Sequence, residues 1–114
     1  MPEPLQVASR DGSNPNVHIV SLKGSITHAS SPAFQDAIST SHKPRLIIDL
    51  SEVPSVDSMA IGALVRAYVS CQKTGRKLAL VGLNHRIRNI LQITGVDPLF
   101  DVYPTISDAE AAAD

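Results

Sequence analysis

A single cysteine, Cys71, excludes an internal disulfide and any paired-thiol redox site. Tryptophan is absent and aromatics make up only 4% of the chain. Charge is sparse too: 18% of residues are charged, the net charge is −1, and no run of Lys or Arg interrupts that balance. Nucleic-acid binding is therefore set aside. No apolar run reaches the length of a membrane span, and no basic, then apolar, leader opens the sequence; the expectation is a cytoplasmic protein without membrane insertion. What remains is ample apolar content, 43% of 114 residues, enough for one globular domain over residues 1–114.

The order of elements predicts an α/β fold. Leu5–Ala8 reads as a short strand, and the turn-forming Arg10-Asp11-Gly12-Ser13-Asn14-Pro15 leads by a hairpin into a second strand, Val17–Leu22, that stops at Gly24. Ser30-Ser31-Pro32 starts a helix with Phe34, Ala37 and Ile38 on one face. Leu46-Ile47-Ile48-Asp49-Leu50 is a nearly continuous apolar run, the pattern of a strand covered on both faces. From Ser58 to Thr74 the spacing turns helical and apolar almost all round, with Gly75 closing the element. A further strand carries Leu78, Leu80 and Leu83, so strand, helix and strand form a right-handed parallel crossover. Asn84 caps a helix bearing Ile87, Ile90, Leu91 and Thr94, which ends at Gly95; Phe100–Tyr103 reads as an edge strand, and Ser107 to Glu110 has capping-box spacing for a terminal helix. Sheets of this kind gather ligands and partners at the carboxyl ends of their strands, where Asp57-Ser58 falls.

Chemistry-bearing residues are few. The histidines at 18, 28, 42 and 85 lack metal-ligand spacing, and no phosphate loop or nucleophile elbow is present; neither metal, cofactor nor enzymatic activity is expected. Cys71, inside an apolar helix, reads as an inert core thiol. Arg66, Lys73, Arg86 and Arg88 read as solvated faces. Asp57 and Ser58 fit simple N-caps. A Ser at that place also suits a phosphoswitch, because free amides and the helix dipole tolerate an anion there.

The wider pattern decides between these. Asp49-Leu50-Ser51 followed by Asp57-Ser58-Met59-Ala60, the strand end Gly24-Ser25-Ile26-Thr27, and the late segment Leu91 to Tyr103 together resemble the STAS domain of bacterial anti-sigma factor antagonists, from about Val17 to Ala111. Met59 and Ala60 stand where that family has a small hydroxyl residue and Gly, and Ser25 and Thr27 where it has acids. The resemblance implies a STAS-like mixed sheet of about five strands with a parallel centre and about four helices. It implies a role in partner switching: Ser58 as phosphoacceptor, Asp57 as its neighbour, and a kinase-type anti-sigma factor as partner, bound unphosphorylated and released on phosphorylation. The expected partner surface is Met59, Ala60, Ile61, Gly62 and Val65 with Thr27 and His28 from the neighbouring loop; taken singly, Ile61 and Val65 each read first as buried against the sheet. Two other readings are a STAS scaffold subunit that assembles without phosphorylation, and an aspartyl-phosphate receiver with Asp49 as acceptor.

Overall fold

The computed structural model describes residues 5–13, 15–26, 31–39, 43–54 and 56–112. Five strands form one sheet in the order β1 (Gln6–Asp11), β2 (Val17–Lys23), β3 (Arg45–Glu52), β4 (Lys77–Val81) and β5 (Asp101–Tyr103). β1 pairs antiparallel with β2 and all other pairs are parallel. Parallel neighbours need crossovers, supplied by α1 (Ser31–Ser39), α2 (Ser58–Lys73) and α3 (His85–Ile93), the last followed by a 3-10 turn at Asp97–Leu99. A short α4 (Ile106–Ala111) ends the described chain.

The core lies in two layers. Val20 and Leu22 of β2 and Leu46, Ile48 and Leu50 of β3 pack with the apolar faces of α1, α2 and α3. Their strand neighbours Val17, Ile19 and Ile47 point the other way and pack with Ala79, Val81 and Ala109 of α4. Both faces of β2 and β3 are thus covered, which is why these strands read as unbroken apolar runs. β1 is an edge strand and almost wholly exposed.

Four local expectations are corrected. β1 runs on to Asp11 instead of ending at Ala8, because its pairing with β2 continues to Asp11 opposite His18. β4 stops at Val81 and does not include Leu83: Gly82 takes a positive φ of 72°, and a side chain there would run into Ser51, whose Cβ would lie 2.7 Å away. α4 is capped by Thr105, whose hydroxyl accepts from the Asp108 amide at 3.1 Å, so Ser107 lies inside the helix. α2 is not apolar almost all round, since the polar Arg66, Ser70, Gln72 and Lys73 lie exposed on it. Ser30, at the expected start of α1, lies outside the described residues.

Candidate functional site

The turn from β3 to α2 is fixed from below and from the side. Val53 and Val56 are buried in the core and the Val53 amide donates to the Leu50 carbonyl at 3.0 Å. Asn84 binds the same turn: its amide nitrogen donates to the carbonyls of Val53 at 3.2 Å and Pro54 at 2.9 Å. The oxygen of that side chain accepts from the Ile87 amide at 2.9 Å. One Asn therefore caps α3 and braces the segment that delivers α2. The sequence pointed to the cap but carried no signal for the brace, which depends on a neighbour some thirty residues away.

At the tip of α2, Asp57 has extended backbone (φ −104°, ψ −174°) and its Oδ1 accepts from the Ala60 amide at 2.9 Å, while its carbonyl accepts from Ile61 at 2.9 Å. Asp57 is thus the N-cap. Ser58 is the first helical residue and its side chain is exposed. Amides in a first helical turn have no partner within the helix, and the dipole's positive end lies there. A hydroxyl at this place is reachable, and a charge on it would meet favourable backbone electrostatics.

The expected partner surface divides. Met59 is 39% exposed. Gly62 and Val65 are partly exposed, and a methyl built on Gly62 would touch only the Arg66 guanidinium, at 3.6 Å. Ala60 and Ile61 are corrected: they are 0% and 7% exposed and face the core. The reason is rotational, since Ala60 shares the inner face of α2 with Ala63, Leu64, Ala67 and Cys71. The methyl that distinguishes Ala60 from Gly therefore points inward and alters packing, not a partner's approach. Thr27 and His28 lie outside the described residues.

Beside the site, a cleft of about 540 Å³ opens at the carboxyl ends of β2 and β3, lined by Lys23, Gly24, Ser25, Glu52, Pro54 and Asn84 among others. Gly24, at φ 98°, donates its amide to the Glu52 carbonyl at 3.1 Å and so holds the two strand ends together. Asp49 is elsewhere. It is in register with Ser21 and Val81 on the α4 side of the sheet, and its Oδ1 accepts from the Ser51 amide at 2.9 Å. Cys71 is 1% exposed and burial raises its pKa, so the thiolate is disfavoured. Among the described residues, no three His, Cys, Asp or Glu come together to hold a metal, and no helix is long and apolar enough to cross a membrane.

Comparison with known proteins gives concordant findings. The STAS domain family model matches residues 12–109. The solved structure of an anti-sigma factor antagonist from Mycobacterium paratuberculosis superposes with a TM-score of 0.82 at 29% identity, over 96% of this chain and 93% of that one. The anti-sigma-B factor antagonist of Listeria monocytogenes is 26% identical over 101 residues, 86% of each chain. A Thermotoga neapolitana protein whose name provisionally makes it an anti-sigma factor antagonist is 37% identical over 65 residues, so that the chain spans 58% of that relative's length.

Proposed function

The chain belongs to the STAS domain family, and from that premise we propose that it is an anti-sigma factor antagonist that works by partner switching. Unmodified, it binds a serine-kinase anti-sigma factor in the cytoplasm; phosphorylation of Ser58 releases it. The observation that carries this reading is the division of labour at the tip of α2. Asp57 holds the helix through the Ala60 amide, and Ser58 stands exposed beside it with no capping duty. A modification of Ser58 therefore leaves the cap in place. Phosphate adds about −1.5 to −2 charges and three acceptor oxygens. The helix terminus offsets part of that charge, by about 0.3–1 kcal/mol at an exposed site, whereas a partner packed against Met59, Gly62 and Val65 must desolvate it or withdraw. The Asp57 carboxylate, held at the cap by the Ala60 amide, stands beside Ser58 and adds to the negative field the partner meets.

Named relatives from Mycobacterium paratuberculosis and Listeria monocytogenes support the role of antagonist. The experiment is to incubate the protein with the purified serine-kinase anti-sigma factor of its own organism and ATP, and to locate the label by mass spectrometry. A phosphate on Ser58, absent in Ser58→Ala, together with dissociation of the complex, is the expected result. Stable binding with no phosphate on Ser58 contradicts the switch and favours a scaffold role.

A further inference from the structure

Charge is divided unevenly along this chain. Between Ser58 and Val96 stand Arg66, Lys73, Arg76, Lys77, Arg86 and Arg88, and not one Asp or Glu. Every acid lies before or after that stretch, so the overall −1 conceals a basic half. The fold brings α2 and α3 to the same side of the sheet, where both pack on the larger core cluster, opposite α4. Arg66, Lys73, Arg86 and Arg88 are exposed there. Arg76 is not part of this surface, being tied to backbone carbonyls of Lys43 and Ile38 at 2.8 and 3.2 Å.

Apolar exposure falls on the same stretch and the turn directly after it. The exposed large hydrophobics among the described residues are Met59, Val69, Ile93 and Leu99, all on α2, α3 or the 3-10 turn that follows. At 100° per residue, Ser58, Gly62, Val65 and Val69 form one outward line down α2, about 16 Å long. Val65 is half-buried and Val69 is 43% exposed. Arg66 and Lys73 lie together along one side of the line, and α2 contains no acid to neutralise them. Gly62 sits in the line without a packing need, since only the Arg66 side chain lies near its missing Cβ. A mid-helix glycine that the fold does not require, between apolar neighbours, leaves a notch for close approach of another backbone.

We propose that this outer face of α2 docks an amphipathic helix of the partner, with its apolar stripe on Val65 and Val69, its backbone over Gly62, and acidic side chains against Arg66 and Lys73. The proposal rests on the switch reading and states the partner's chemistry. An acidic helix laid along this line ends at Ser58, so a phosphate there repels it directly. A nucleic acid backbone would use the cations but leave the apolar line unsatisfied. A membrane surface would meet short Val side chains in place of the Trp, Phe or Leu that anchor interfacial helices.

The test measures association and dissociation with the purified serine-kinase anti-sigma factor of the same organism, at low and moderate salt. Arg66→Glu combined with Lys73→Gln is expected to slow association about tenfold at low salt and to flatten its salt dependence. Val69→Ser is expected to speed dissociation about fivefold with association unchanged. All these positions are exposed, and unchanged unfolding midpoints verify that the fold is intact. Unaltered rates and salt slope in the charge variant overturn the proposal, as does failure of the wild-type protein to bind. Ser58→Asp is run alongside. If it weakens binding while the α2 variants do not, the acidic-helix proposal falls and the switch stands; if the α2 variants weaken binding and Ser58→Asp does not, the switch falls and the docking face stands. Sedimentation of the wild-type protein, but not the charge variant, with phosphatidylserine vesicles would replace the protein partner by a lipid surface and overturn the proposal.

Discussion

The two ends of the parallel sheet are built on different plans. At the carboxyl ends of the strands, polar side chains make neutral or cap bonds close to solvent: Asp57 binds an amide three residues on, and Asn84 does the same while bracing a turn some thirty residues away. At the amino ends, partly buried cationic and imidazole side chains make the ties. Arg76 joins the carbonyls of Ile38 near the end of α1 and Lys43 ahead of β3. Arg45, 8% exposed, donates to the Ala112 carbonyl at the end of α4 at 3.4 Å. His18, 9% exposed, has its Nδ1 3.4 Å from the Asp11 carboxylate, which also accepts from Lys43 at 2.9 Å. The fold is thus secured at the end away from Ser58. At the other end the brace and the cap are made by Asn84 and Asp57, and exposed Ser58 can gain charge without either being lost.

This contrast has consequences that mutation can break. The largest is at the amino end: Arg76→Ala removes two charge-assisted bonds to carbonyls and is expected to cost about 2–3 kcal/mol in denaturant unfolding, with partner affinity of the remaining folded protein unchanged. Asp57→Ala removes only a cap and should cost about 1 kcal/mol; a loss as large as that of Arg76→Ala would erase the distinction between the ends. Gly62→Ala should move stability and binding in opposite directions. Helix propensity favours Ala by about 0.5–1 kcal/mol, the built methyl meets nothing closer than 3.6 Å, and the filled notch should weaken partner binding in titration.

The smallest effect concerns pH. Hydrogen bonds from Lys43 and then His18 hold the Asp11 carboxyl below the ordinary range of an aspartate. A carboxylate whose pKa is depressed by folding contributes stability above its unfolded pKa and loses it as pH falls through the folded value. The wild-type protein should therefore show an extra loss of stability below about pH 4 that Asp11→Asn lacks. Asp11 is solvent-exposed and screened, so the difference is small.

Much of this architecture was legible in the chain. β2, β3, α2 and α3 carry strong periodicity, and Asp57, Asn84, Gly75 and Gly95 mark helix ends by local chemistry that operates the same way in any fold. Ser58 and Met59 were placed correctly at the exposed tip because they precede the first buried turn. Ala60 and Ile61 divide the two kinds of reading: helical spacing with Leu64, Ala67 and Cys71 points both inward, the family resemblance puts both on the partner surface, and their burial follows the spacing. The end of β4 was missed because Val81-Gly82-Leu83 reads as apolar continuity, whereas the close approach of Ser51 to Gly82 is tertiary. The ties of Arg45 and Arg76 had no signature at all, since an Arg beside an apolar strand looks the same whether it is solvated or bound to a distant carbonyl.

The central claim is that charge at Ser58 is neutral for folding and decisive for recognition. Unfolding free energy and affinity for the serine-kinase anti-sigma factor, measured side by side for wild type, Ser58→Ala and Ser58→Asp, test it most directly. Stabilities within about 0.5 kcal/mol of one another, with affinity kept in Ser58→Ala and reduced at least tenfold in Ser58→Asp, are predicted. Equal affinities for the two variants, or a Ser58→Asp protein that loses binding only because it unfolds, would contradict it.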